Sequence, residues 1–472
     1  MRAARTLLAV GGLAACAYAS GEEARPSLAP PPDARDASVP RVVDPAPRLD
    51  PAIIAMRDAV NGDRLLASIT SLVAFGTRNS CSVSTSKTDG VGAARDFLHD
   101  QLAAVAGLEV RLHTFRQEGC ASGPTMQANV VGVLPGSSPT RLVVVGGHYD
   151  SRSVDVFDGD AAAPGANDSG SQSAVVAEVA RVLAGHRFAA TLVFVAFAGE
   201  EQGLLGSAAF VRDLPVLFPG GRVEAMLDLD ISGGDREAND PASLRQFRLY
   251  SPGTPRETSP IGGDGRTDDT SPARGLMRFI GSVVTGYVSG MTMSPQLRED
   301  RPGRGGDHQS FLAAAIPGVR FIEAKETALH QHTADDTLAN LTPDYVTRMA
   351  QVVSTTAASL ARAPRAPTAL SATRTGGSLA IAWQAPLPEA VDHYVVAVRS
   401  VGENAYRTRV GAADTALTTA LSTADAQDPI YVSVAAVDAD GHESLFAYPE
   451  LRCDPTGCAP PADADDVTTT TN

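Results

Sequence analysis

The sequence predicts an α/β fold on a mostly parallel mixed sheet flanked by helices, followed by an all-β sandwich. Three observations carry this reading. Apolar runs such as Leu142-Val143-Val144-Val145 and residues 191–198 have the length of buried strands, and stretches of helical periodicity separate them. That alternation builds a parallel sheet with helices on its faces. Past Ala363 the period changes to two, in short segments such as LAIAWQAP and DHYVVAVRS separated by turns, which is the pattern of a sandwich. At 472 residues and 43% hydrophobic content, the chain has material for more than one core.

Taken in order, the chain opens with Arg2 and an apolar run over 7–15 that is too short to span a bilayer, the pattern of an export signal over 1–19. Leu13-Ala14-Ala15-Cys16 resembles a bacterial lipobox, in which Cys16 becomes the lipidated first residue. Cleavage after Ala17-Tyr18-Ala19 is the competing reading, so the chain is expected to be either a cell-envelope lipoprotein or secreted. Residues 20–50 are rich in Pro, Ala and Asp without apolar periodicity, and are expected to form a disordered linker.

Residues 52–75 and 88–105 read as helices around a Gly- and Cys-containing loop, and 109–115 and 127–134 as strands. The apolar run that ends in Gly146-Gly147-His148 is a strand delivering a histidine at its carboxyl end. A helix over 169–184, a strand over 191–198, a helix over 203–211 and a strand over 223–230 follow. The loop 251–272 could border a site at these strand ends, where ligands gather in such sheets. A helix over 273–289, a short helix after Asp307, a strand over 319–321 and a helix over 342–361 close a unit spanning 51–362. The sandwich is expected over 364–450, with Trp383 as core filler, and a flexible tail over 451–472.

With Cys16 assigned to the leader, Cys81, Cys120, Cys453 and Cys458 form an even set in an exported chain. Proximity pairs Cys81 with Cys120 and Cys453 with Cys458. Free thiols or a metal cluster are the alternatives, and the absence of CxxC argues against the cluster. The net charge of -15 argues against nucleic acid or an anionic membrane as partner, leaving a lipid anchor as the one expected membrane contact.

Four segments carry the chemistry: GGHYDS from Gly146, GANDSG from Gly165, AGEEQGLLGS from Ala198 and HTADDT from His332. They gather His148, Asp168, Glu200, Glu201 and His332 in Gly-rich or apolar surroundings. Buried carboxylates are costly unless paired or bound to a cation, so a divalent metal site is the economical explanation. Histidine nitrogens and carboxylate oxygens are the ligands zinc takes, and two zincs can share a bridging carboxylate and a water.

These motifs in this order, with LDLDISG between the third and fourth, resemble the secreted di-zinc aminopeptidases of metallopeptidase family twenty-eight, of the aminopeptidase Y and bacterial leucyl aminopeptidase type. The resemblance covers about 51–361 and implies a zinc exopeptidase fold, two Zn2+ per chain, and peptide or protein N-termini as substrate. Residue by residue it implies His148 and Asp230 on one zinc, Glu201 and His332 on the other, Asp168 bridging both, and Glu200 as the general base. It implies too that the Asp150 carboxylate fixes the tautomer of the ligand His148. Asp228 and His330, each two residues before an expected ligand, are the rival ligands. Asp307 is expected to cap a helix, with His308 near the cleft. Some relatives have Tyr where Gln331 precedes His332, so the group that stabilises the oxyanion stays open between Gln331, another residue and zinc itself.

Pro364, Pro367, Trp383, Tyr394, Tyr431 and Gly441-His442-Glu443-Ser444 resemble a fibronectin type III domain, whose role would be packing or holding the enzyme near a surface or substrate. The competing functions are glutaminyl cyclase or carboxypeptidase activity on the same fold, and a catalytically inactive binding protein. Cobalt or manganese could replace zinc at such a site.

Overall fold

The computed structural model describes residues 43–252, 270–300 and 304–461. The expected leader with Cys16, the linker as far as residue 42, most of the loop over 251–272 and the last residues of the tail lie outside these.

The helix expected over 52–75 is two helices, α1 (Pro51–Asp58) and α2 (Gly62–Ala74). Two competing caps break it. Asp50 accepts the N–H of Ala52 at 2.7 Å, and Asn61 accepts that of Arg64 at 3.0 Å. A capping side chain favours a new helix start over continuation. Helix α3 (Gly90–Ala103) follows, then strands β1 (Glu109–Gln117), β2 (Thr125–Leu134) and β3 (Ser138–His148). Next come α4 (Gln172–Leu183), β4 (Ala190–Phe197), α5 (Leu205–Leu217) and β5 (Arg222–Leu229). The unit is completed by β6 (Gln246–Tyr250), α6 (Pro272–Tyr287), β7 (Thr292–Gln296), α7 (His308–Ala313), β8 (Gly318–Glu323) and α8 (Pro343–Arg362).

The eight strands form one mixed sheet in the order β1-β2-β4-β3-β5-β8-β6-β7. Its centre, β4-β3-β5-β8, is parallel. Antiparallel pairing flanks it on both sides, at β1-β2-β4 and at β8-β6. With the edge pair β6–β7 also parallel, four of the seven pairings are parallel, which is the mostly parallel mixed sheet expected. The strands β6 and β7 were not expected at all: each is five residues long, and β7 carries Pro295, which an edge strand tolerates because no neighbour needs its N–H.

Both faces of the sheet are covered. Phe197, Phe210 and Phe311 join α5 and α7 to one face. Residues of α1, α2, α3, α4, α6 and α8 pack on the other, among them Ile69, Leu98, Val179, Ile280 and Val353. Double coverage explains why the central strands are apolar throughout.

Past α8, the strands β9 (Thr368–Thr375), β10 (Ser378–Gln384), β11 (His393–Ser400), β12 (Thr408–Ala412), β13 (Ala416–Ala420) and β14 (Ile430–Val437) form two antiparallel sheets. One sheet has the order β13-β10-β9. The other continues beyond β14 into β15 (Leu451–Asp454) and β16 (Gly457–Ala459), a hairpin closed by the Cys453–Cys458 disulfide where the flexible tail was expected to begin. The two sheets share one core, in which Trp383 is 5% exposed and meets Tyr394 edge-on.

Candidate metal centre

The four motifs meet where the parallel strands end. His148 is the last residue of β3, Glu200 and Glu201 follow β4 after the left-handed Gly199, and Asp230 follows β5. Asp168 lies in a tight turn over Ala166–Ser171 that leads into α4. That turn leaves no room for a side chain at Gly165, where a Cβ would come within 2.5 Å of the Asp168 carbonyl and 2.6 Å of Ser151. His332 enters from the loop after β8.

The side chains converge as two triads with a common member. His148 Nε2 lies 3.3 Å from Asp168 Oδ1 and 3.4 Å from Asp230 Oδ1. His332 Nε2 lies 3.1 Å from Asp168 Oδ2 and 3.3 Å from Glu201 Oε1. In each triad the ligand atoms lie within 4.8 Å of one another. Two observations fit the set to metal. Asp168 Oδ1 and Glu201 Oε1 are buried without a hydrogen-bond partner among the described residues, a costly state that a cation relieves. The donors are also imidazole and carboxylate throughout, as zinc takes them. The side-chain amide of Gln172 also approaches His148 Nε2, at 3.0 Å.

Asp150 does a different job from the one expected. His148 Nδ1 meets the Asp150 backbone carbonyl at 3.0 Å, while the Asp150 carboxylate stands 3.7 Å away, beyond hydrogen-bonding reach. That carboxylate instead accepts the N–H groups of Glu200 and Glu201 at 3.2 and 3.1 Å. It fixes the dipeptide, and the carbonyl fixes the imidazole.

Glu200 lies beside the triads without joining either. Burial, and after it the charges of Glu201, Asp230 and Asp307, push its carboxyl well above the usual range against the opposing pull of His148. Asp228 is turned away from the triads: its Oδ2 accepts from the N–H of His308 and lies 3.0 Å from His308 Nδ1. Burial and the charge of Asp230 raise Asp228 to about 8, although the His308 N–H opposes them. His330 is held by Asp235 at 2.7 Å and Glu237 at 3.1 Å. Asp307 occupies the cap position of α7, but its carboxylate makes no capping bond, and both of its oxygens are buried without a hydrogen-bond partner among the described residues. Gln331 donates its amide to Asp168 Oδ2 at 2.7 Å.

Three neighbours escaped the sequence reading. Asp336, inside the HTADDT motif, accepts the N–H groups of Asn167 and Asp168 at 2.8 and 2.9 Å and so holds the shared carboxylate's backbone. Its motif was the available signal. Arg152 and Arg320 touch Glu201 and Asp230 at 2.7 and 2.6 Å, and as isolated arginines they gave none.

A protein-family model described as Peptidase family M28 matches residues 129–357. A probable zinc metalloprotease of Pyrenophora teres f. teres (strain 0-1) is 37% identical over 345 residues, covering 67% of this chain and 70% of that protein. Another, of Pyrenophora tritici-repentis (strain Pt-1C-BFP), is 33% identical over 432 residues, covering 85% and 96%. Among solved structures, LapB from Legionella pneumophila superposes with a TM-score of 0.51 at 20% identity, covering 67% of this chain and 77% of its own. Macrostomum lignano glutaminyl cyclase does so with a TM-score of 0.50 at 18% identity, covering 67% and 94%. The two structures share the fold of the two thirds of this chain that they cover.

Proposed function

The chain belongs to peptidase family M28, and from that premise we propose that it is a two-zinc aminopeptidase that removes the N-terminal residue of peptides. The observation that carries this reading is the pair of triads joined through Asp168. His148, Asp168 and Asp230 would hold one ion, and Asp168, Glu201 and His332 the other. Bound zinc would supply Lewis acidity and bring the pKa of a water to about 7.

Glu200 is the general base in this reading. It takes the proton of the attacking water and passes it to the nitrogen of the departing peptide. A carboxylate positioned beside the reacting water suits both halves of that task, accepting the proton and then returning it. Asp150 holds the backbone of Glu200 and Glu201, so the base and the neighbouring ligand keep a fixed relation. Gln331 orients the shared carboxylate through its bond to Asp168 Oδ2.

In the same reading the C-terminal sandwich is a fibronectin type III module, supported by its two antiparallel sheets on a shared core around Trp383. The leader over 1–19, with or without a lipid on Cys16, would carry the chain out of the cytoplasm, which agrees with the two disulfides.

Replacing Glu200 with Ala in the full chain tests the assignment. Turnover of aminoacyl-nitroanilides should fall by about 10²- to 10⁴-fold, while metal analysis still finds two zinc ions per chain. Undiminished turnover would remove Glu200 from the mechanism. On wild-type protein, a panel with free-amine, blocked-amine, N-terminal glutaminyl and C-terminal reporter peptides should show hydrolysis of the free-amine substrates alone. Cyclisation of the glutaminyl peptide, or release from the C-terminus, would overturn the aminopeptidase reading.

A further inference from the structure

Each terminal carboxylate of the centre has its two oxygens in different company. Asp230 Oδ1 faces His148 Nε2, while its Oδ2 lies 2.6 Å from Arg320 Nη2. Glu201 repeats the arrangement: Oε1 faces His332 Nε2, and Oε2 accepts from Arg152 Nε at 2.7 Å. The arginines come from unrelated places, Arg152 from the loop after β3 and Arg320 from within β8. The pattern is thus built twice, from separate parts of the fold.

We propose that Arg152 and Arg320 are positioning residues that set how many oxygens each terminal carboxylate offers its metal. Each guanidinium occupies one oxygen, so the ion receives the other alone. The inference rests on the two-metal reading above. A carboxylate with both oxygens free beside a divalent cation can close on it with both, because each oxygen carries part of the negative charge. A guanidinium at hydrogen-bond distance, always charged and rigid, holds one oxygen back. An ion held there would keep a coordination position open, which is what separates a catalytic site from a closed structural one.

The two arrangements differ in firmness. Arg320 is 1% exposed, bonds Asp300 at 3.1 Å as well, and lies over the Tyr250 ring. The Arg152 side chain is 19% exposed, and its other described bonds are long ones to the carbonyls of Ser153 and Val154. Of the two terminal carboxylates, Glu201 is therefore the one whose second oxygen is held by the less buried arginine.

Cobalt(II) substitution in the full chain tests this, since low-coordinate cobalt absorbs visible light strongly and octahedral cobalt weakly. Arg152→Met should keep two equivalents of cobalt but show a weaker visible absorption for one of them as its donor count rises, and its kcat should fall by about 10- to 100-fold. Arg152→Lys, which restores a cation near Glu201, should recover part of both. Arg320→Met should weaken the absorption of the other equivalent; if burial of the site prevents that variant from folding, the Arg152 pair decides alone. A wild-type spectrum in Arg152→Met with both equivalents bound overturns the inference, and so does a lowered melting temperature with that spectrum unchanged, because it assigns the arginine to folding only. Uptake of fewer than two equivalents by the wild-type chain removes the two-metal reading and this inference with it.

Discussion

Asp228 and Asp230 stand two residues apart at the end of one strand, and only their partners separate them. Asp230 faces His148, whereas Asp228 accepts from the backbone of His308 and meets its ring. Replacing Asp228 with Ala should therefore cost about 1–3 kcal/mol of stability, the penalty for leaving a buried donor unsatisfied, and should leave the metal content whole. Chemical denaturation and metal analysis on one preparation check both halves; loss of a metal equivalent would make Asp228 a ligand after all. The site was legible in sequence to the extent that its chemistry was concentrated in motifs. Asp150 shows the limit. Spacing placed it beside His148, but which way its carboxylate turns depends on the Glu200 and Glu201 amides, and these arrive from another strand. Arg152 and Arg320 mark the other limit, because an arginine acts at a site only through the fold that brings it there.

Among the elements, those with long uniform patterns were readable. Strands β3, β4 and β5 have apolar runs because both faces are covered, and they deliver His148, Glu200, Glu201 and Asp230. The short strands β6 and β7 were not readable, whereas β8 and α7, almost as short, were: β6 and β7 take their place from neighbours on the sheet. The same scale governs the disulfides. Cys81–Cys120 closes a separation of 39 residues and anchors the loop whose Ser80 bonds Gln117 and Gln202, next to Glu201. Cys453–Cys458 closes a separation of 5. If loop closure in the unfolded chain sets their worth, a Cys81→Ser, Cys120→Ser variant should lose about 4 kcal/mol and the C-terminal counterpart about 2 kcal/mol. Urea denaturation of the two variants measures the difference, and equal losses would refute the loop-length account.

At the scale of the whole molecule, the sandwich and the eight-stranded sheet are joined by buried charge. Glu450 of the sandwich accepts from Arg278 of α6 at 2.8 Å and from Arg399 at 2.5 Å, and also from the Tyr406 hydroxyl. Arg141 of β3 bonds Glu224 and also Glu389, in the β10–β11 connection. Such contacts belong to a docked module and not to one swinging on a linker. Asp50, the last residue of the expected linker, joins in. Its Oδ1 caps α1, while Oδ2 accepts from Arg362 of α8 at 2.6 Å and meets His442 Nε2 of the sandwich at 2.9 Å. The other nitrogen of His442 faces Asp438 at 2.8 Å.

This last contact makes the docking sensitive to pH. Burial works against a charged His442, but its bonds to Asp438 and Asp50 prevail and raise its pKa above the ordinary 6.5. Burial likewise works against a charged Asp50, and the His442 bond, the Ala52 N–H and the Arg362 charge hold its pKa below 3.8. A raised histidine contributes stability that is complete below the unfolded value of 6.5 and disappears as pH climbs through the folded value. A lowered aspartate contributes stability that is complete above 3.8 and disappears as pH falls through its folded value. The tie is thus whole between 3.8 and 6.5 and weakens beyond that window, on the alkaline side as His442 loses its proton and on the acidic side as Asp50 gains one. His442→Gln, which keeps a polar side chain without the charge, should be less stable than wild type by on the order of 1 kcal/mol in mildly acidic buffer, after allowance for solvent screening. That gap should close as the buffer is taken above the folded pKa of His442. Melting curves of the two proteins across that range decide the matter: a gap that stays constant with pH would show that His442 acts through packing and not through its charge.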